Sequence, residues 1–111
     1  MIRVLFVCAR NRLRSPTAEA IFADLEGIEV SSAGTSPDAE CRVSADLLEW
    51  ADRVMVMETS QRRYLNAHFG TLLKNKSVIS LNIPDKYEYM QPELVTALRA
   101  KVLPLLRQTR G

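Results

Sequence analysis

Histidine and cysteine are scarce in this chain, with 1 His and 2 Cys among 111 residues, and the two cysteines lie far apart at Cys8 and Cys41. A lone His and two separated thiols lack the ligand spacing of a metal centre, so neither a metal site nor a cofactor is expected. A large charge excess is also missing. The net charge of +2, with Lys and Arg scattered along the chain, excludes the concentrated basic tract of a nucleic-acid partner. No apolar run approaches the roughly 20 residues needed to cross a bilayer, which argues against a membrane partner. The N-terminal apolar run extends only from Val4 to Ala9 before Arg10 breaks it, too short for a secretory leader. The expected location is therefore cytoplasmic, where a pair of cysteines is catalytic, redox-active or buried rather than a structural disulfide.

Repeats, low-complexity segments and linkers are absent as well, and 111 residues suffice for one core, so a single domain over 1–111 is expected. What is present is a strand and a helix, four times over. Ile2 to Val7 is nearly continuous apolar sequence, as in a central parallel strand covered on both faces. Ser15 can cap a helix and Pro16 suits its first turn. Ala18, Ile21, Phe22 and Leu25 then recur on one face before Gly27. Ile28 to Ser31, Val54 to Met57 and Val78 to Leu81 read as further strands. Val43, Leu47, Trp50 and Ala51 mark the second helix. In the third, capped by Thr59 or Ser60, Tyr64, Leu65, His68 and Phe69 form a stripe that puts His68 at the core edge. The last helix starts near Pro92, turns Val95, Leu98, Val102 and Leu105 inward, and should kink or end at Pro104. Leu94, Leu103 and Leu106 would then lie on its other sides, which allows a monomer or a weak homodimer. The implied architecture is an α/β three-layer sandwich, a four-stranded parallel sheet with helices on both faces and a phosphate-binding loop after the first strand.

Sites in such sheets lie beyond the carboxyl ends of the strands, so four loops converge there: 8–14, 32–42, 58–60 and 82–89. The first holds the chemistry. Cys8 and Arg14 stand six residues apart between strand and helix, and a helix N-terminus offers free amides and a positive dipole end to an anion and to an ionised thiol. Cys8 reads as a nucleophile towards phosphorus. Arg14 suits a bidentate clamp on phosphoryl oxygens, which Lys cannot provide. Ala9, Arg10, Asn11, Arg12, Leu13 and Ser15 complete the phosphate-binding loop, with Asn11 tolerating positive φ and Ser15 donating to the sulfur. A leaving oxygen needs a proton, and Asp85, just past the fourth strand, is the candidate general acid and later base, with Tyr87 as an aromatic wall. Glu58 is second choice for that acid. Cys41 reads as structural or incidental, and Met55 and Met57 as buried strand residues.

These residues carry a family resemblance. Val4-Leu5-Phe6-Val7-Cys8, then Asn11, then Arg14-Ser15-Pro16-Thr17-Ala18-Glu19-Ala20 resembles the opening of the low-molecular-weight protein tyrosine phosphatases. Ser31-Ser32-Ala33-Gly34-Thr35 is similar to the segment after their second strand, and Asp85-Lys86-Tyr87 to their Asp-Pro-aromatic acid loop. The resemblance implies a phosphomonoester hydrolase acting through a phosphocysteine on Cys8, with Arg14 as clamp and Asp85 as general acid. A phosphorylated protein or small phosphomonoester would be its substrate. Four departures stand out. The chain is short between Thr35 and the third strand; Arg10 and Arg12 replace smaller or apolar residues, favouring more acidic substrates; Leu13 stands where some members carry a second Cys; and Lys86 replaces Pro. Three other readings stay open: an arsenate reductase resolved by Cys41, a phosphocarrier, and a phosphoresidue-binding module without turnover.

Overall fold

In a computed structural model describing residues 1–108, four strands pair in parallel. The elements run β1 (Ile2–Cys8), α1 (Arg14–Phe22), β2 (Ile28–Gly34), α2 (Ala45–Trp50), β3 (Arg53–Val56), α3 (Thr59–Phe69), β4 (Ser77–Ser80) and α4 (Pro92–Gln108). The sheet order is β2-β1-β3-β4. The most apolar strand, β1, is thus central, with Cys8 beside Gly34 on one side and Val7 beside Val56 on the other.

Alternation along β1 divides the core in two. Val4, Phe6 and Cys8 face α1 and α4, where Phe22, Leu94, Leu98, Val102 and Leu106 close over Met55 and Met57. Leu5 and Val7 point the other way, to Leu48 of α2, Leu65 of α3 and Leu73. Because successive strand residues face opposite sides, both faces of the sheet are covered and the fold is the expected three-layer α/β sandwich. No helix among the described residues is long and apolar enough to cross a membrane.

Local details differ from the sequence reading. Helix α1 stops at Phe22, so Leu25 lies beyond it and is 37% exposed; the chain then turns at Gly27, whose φ of 87° suits glycine. Val43 is buried but precedes α2, whose cap is Ser44, accepting from the Leu47 amide at 3.3 Å. Helix α3 is capped by Glu58 rather than Thr59 or Ser60, because Gln61 reaches back to the Glu58 amide at 2.6 Å and completes a reciprocal box. His68 is exposed and its ring lies tilted against Tyr64 with ring centres 4.2 Å apart, leaving Leu65 as the buried contact of that face. Helix α4 buries Leu94, Leu98, Val102 and Leu106, with Val95 and Leu105 only half-buried. Both rows are apolar at helical spacing, and packing against the sheet and α1 chose between them. Two of the three leucines that pointed to a dimer are thereby inside the core. Pro104 neither ends nor interrupts the α4 assignment, since the carbonyl that loses its ladder donor belongs to exposed Ala100.

The α4 register has a direct consequence. Leu98→Ala should cost about 2–5 kcal/mol in urea unfolding, as for a fully buried leucine, and Val95→Ala less than about 1.5 kcal/mol. Equal costs would mean that the helix presents a different face.

Candidate active site

The first loop is built by its neighbour. The chain after β2 bends over it, and the amides of Thr35, Ser36 and Glu40 donate to the carbonyls of Cys8, Ala9 and Arg10 at 3.1, 2.8 and 3.1 Å. With its carbonyls thus engaged, the loop is held in shape on one side. The two chains come so close at Gly34 that a Cβ there would lie 2.6 Å from the Ala9 carbonyl oxygen and 2.7 Å from Ala39 Cβ. The same strand end continues sideways, with the Gly34 amide donating to the Cys41 carbonyl and the Val43 amide to that of Gly34, each at 2.8 Å.

Within the loop, Asn11 takes φ of 56°, a left-handed conformation that Asn tolerates better than most residues. That bend aims its amide at Cys8 Sγ, 3.2 Å away, and its side-chain Nδ2 at Ser15 Oγ, 2.9 Å away. Ser15 Oγ lies 3.0 Å from Sγ and 3.3 Å from the Ala33 carbonyl oxygen. Ser15 therefore does not cap α1. The cap position is Leu13, without a side-chain bond, and Ser15 sits in the first turn with its hydroxyl turned to the sulfur. The first helical bond runs from the Thr17 amide to the Leu13 carbonyl at 3.1 Å, so the amides of Arg14 and Ser15 lie outside the ladder. Cys8 is 3% exposed, at the floor of a cavity of about 230 Å³ lined by Arg10, Arg12, Leu13, Arg14 and Asp85.

Arg14 is the most constrained charge in the site. Only 2% exposed, it donates from Nη1 to Glu58 Oε1 at 2.6 Å and to the Ile83 carbonyl at 2.8 Å, while Nε stands 3.7 Å from Asp85 Oδ1. Among the described residues Nη2 has no acceptor, yet no buried polar side-chain atom lacks one. Nη2 consequently reaches the cavity, and the Nε–Nη2 edge is left for an oxyanion. Glu58, named from sequence as a second possible acid, is instead the partner of the guanidinium. The Arg14 hydrogen bond, helped by its charge and by Gln61, holds the Glu58 carboxyl below the usual glutamate range against the opposing effect of burial. A group held ionised in this way is poorly suited to donate a proton.

The structure thus brings Cys8, Arg10, Arg12, Leu13, Arg14 and Asp85 to one cavity, with Asn11 and Ser15 beneath it. Asp85 reaches it from the loop after β4, its side chain 63% exposed. Tyr87 does not line the cavity; it packs half-buried against the α1–α4 core, with Lys86 Nζ 5.5 Å from its ring centre. Ala9 contributes backbone to the loop–loop contact. Arg12 is engaged at the rim by Glu40, 3.3 Å away, and Asp38, 4.0 Å away. Cys41 is exposed, and no group of His, Cys, Asp and Glu among the described residues could hold a metal. Sequence reasoning missed the pairing of Glu58 with Arg14 and the need for glycine at 34. The signals were an acidic residue just past the end of the third strand and a glycine closing the second.

Comparison with known proteins gives a consistent picture. The family model for low molecular weight phosphotyrosine protein phosphatases matches residues 3–53, which includes the Cys8–Ser15 loop and Gly34. No curated protein sequence gives a significant match. Among solved structures, a low molecular weight protein tyrosine phosphatase from Streptococcus pyogenes superposes with a TM-score of 0.81 at 17% identity, over 97% of this chain and 93% of its own. A low molecular weight phosphotyrosine phosphatase from Vibrio cholerae O395 gives 0.79 at 22% identity, over 100% and 98%. The arginine phosphatase YwlE from Geobacillus stearothermophilus gives 0.74 at 21%, over 99% and 96%. At such identities the structures speak for the fold alone.

Two outcomes follow. Gly34→Ala should destabilise the fold by about 1–3 kcal/mol, because a methyl group meets backbone rather than a flexible side chain; unchanged thermal stability would show that the two loops are not in contact. The Glu58 carboxyl titrates lower in the folded than in the unfolded chain. Its contribution to stability is then complete above the ordinary glutamate pKa of about 4.3 and is lost as pH falls through the lower folded value. The melting-temperature difference between wild type and Glu58→Gln should accordingly shrink between neutral pH and about pH 3, and a constant difference would contradict the pairing.

Proposed function

We propose that this chain is a cysteine-dependent phosphomonoester hydrolase of the low-molecular-weight protein tyrosine phosphatase family, acting on phosphotyrosine, a reading supported by the family model over residues 3–53 and by the shared fold. The observation that supports this most is the sulfur of Cys8 at the floor of the cavity, receiving the Asn11 amide at 3.2 Å, with Arg14 and Asp85 lining the same space. The phosphoryl group binds in the loop, its oxygens held by the first amides of α1 and by the open edge of Arg14. Cys8 Sγ attacks phosphorus, the ester P–O bond breaks, and Asp85 protonates the departing oxygen. The same carboxylate then takes a proton from water, whose oxygen attacks the phosphocysteine and displaces the sulfur. Ser15 Oγ, 3.0 Å from Sγ, supports the sulfur as it leaves. Positioning and charge complementarity dominate such transfers, which is the part played by a guanidinium fixed on Glu58 and Ile83.

Other readings fit less well. For an arsenate reductase, Cys41 would have to resolve Cys8, yet Gly34 pairs with Cys8 on one side and bonds Cys41 on the other. Two strand spacings put the Cα atoms about 9–10 Å apart, beyond the roughly 7 Å limit for a disulfide. A carrier or binding module has no use for a carboxylate at the cavity mouth. The arginine phosphatase likeness is a likeness of fold, and Arg10 and Arg12 on the lining disfavour a leaving group that carries a guanidinium charge relative to an uncharged aryl one. The protein is proposed to act in the cytoplasm.

The purified protein should hydrolyse p-nitrophenyl phosphate in excess chelator. Cys8→Ser and Arg14→Ala should each abolish turnover, and an active Cys8→Ser would overturn the mechanism. Asp85→Asn should slow phosphotyrosine hydrolysis by about 10²–10⁴-fold and p-nitrophenyl phosphate much less, since nitrophenolate leaves without a proton. Equal losses on both esters would assign the proton to another group.

A further inference from the structure

The two arginines at the cavity rim are not equivalent. Arg12 is 45% exposed and engaged by its own chain: Nε lies 3.3 Å from Glu40 Oε1, and Nη2 lies 4.0 Å from Asp38 Oδ2 while donating to the Asp38 carbonyl at 3.4 Å. Arg10 is exposed, lines the same cavity, and among the described residues has neither an ion pair nor a hydrogen bond from its guanidinium. It acts on its surroundings only through its field, which with the Ser36 hydroxyl and Arg12 helps keep Asp38 ionised. The aromatic side that might have faced it, Tyr87, is packed on the core instead. The cavity mouth is therefore cationic on the 10–12 side.

The Asp38-Ala39-Glu40 segment shows what this mouth accepts. It is a short acidic stretch that offers carboxylates at alternate positions to Arg12, and it is tied to the loop by the Glu40 amide on the Arg10 carbonyl. A substrate chain with acidic side chains next to its phosphoryl group meets one vacant guanidinium at Arg10 and one held by exposed, weak pairs at Arg12. Asp38 and Glu40 are 61% and 66% exposed, so their hold on Arg12 is of the kind that a competing anion displaces at little cost. Both cations sit at the rim rather than under the sulfur, which places their reach on residues flanking the ester.

We propose that Arg10, with Arg12 as a second cation released on binding, makes this site select phosphotyrosyl peptides flanked by Asp or Glu. This rests on the phosphotyrosine phosphatase reading and adds the class of protein segment it acts on. Electrostatic selection of this type appears in kcat/KM and fades with ionic strength.

The test uses the full chain and two peptides that differ only in having Glu or Lys on both sides of phosphotyrosine. Wild type should favour the Glu peptide by about two- to five-fold for each exposed charge pair formed, and the ratio should fall towards one at about 0.5 M salt. Arg10→Ala should reduce the ratio and Arg10→Glu should reduce it further, while Glu40→Gln, which frees Arg12, should raise it. Because the readout is a ratio within each variant, a general loss of activity does not imitate the effect. Equal turnover of the two peptides by wild type, or a ratio unmoved by Arg10→Glu, overturns the proposal while leaving the phosphatase reading intact. Failure to hydrolyse p-nitrophenyl phosphate would overturn both.

Discussion

A guanidinium that is only 2% exposed imposes the strictest condition on this molecule. Arginine cannot shed its charge inside a protein, so the cost of removing it from water has to be offset by acceptors in good geometry. Arg14 finds them on segments distant in sequence: the Glu58 carboxylate after β3, the Ile83 carbonyl after β4, and more loosely Asp85. One buried charge thereby links the carboxyl ends of β3 and β4 to the helix that follows β1. The arrangement also uses one terminal nitrogen for support and leaves the other for a ligand, so the same side chain is both fixed and available.

The second constraint is backbone packing. Three amides of the loop after β2 hold three successive carbonyls of the loop after β1, and this close approach admits no side chain at Gly34. Bracing of this kind preorganises a loop, the condition under which donors cost little reorganisation when charge develops. The brace also delivers Asp38 and Glu40 to the cavity rim, so the element that shapes the loop also sets the charge around it. The far side of the loop is fixed by Thr17 Oγ1, which donates to the Leu13 carbonyl and accepts from the Met90 amide at 2.9 Å, joining α1 to the chain beyond Asp85.

The architecture was readable because each strand and helix announces itself locally. A β1 that is apolar apart from Arg3 is suited to the interior of the sheet, and the alternation of strand and helix leaves a parallel sheet as the consistent outcome. Cys8, Arg14 and Ser15 were visible for the same reason, since a strand, a tight loop and a helix start are contiguous features. Local reasoning failed where two options had equal local merit. Either apolar row of α4 satisfies helical spacing, and only contact with the sheet and α1 buries Leu94 and Leu106 rather than Val95 and Leu105. Ser15 is a good cap by type, but the sulfur and the Asn11 side chain compete for its hydroxyl.

The amino-acid order by itself determined the four-unit α/β pattern, the placement of a thiol at a helix entrance, and an arginine six residues on, because these depend on periodicity and on neighbours along the chain. Only the tertiary structure decided that Glu58 pairs with Arg14, that Tyr87 packs on the core, and that among the described residues Arg12 is occupied while Arg10 is not. Those assignments rest on distances between residues far apart in sequence, 44 positions for Arg14 and Glu58, and such distances are set by how β1, β3 and β4 pair, which no local pattern encodes.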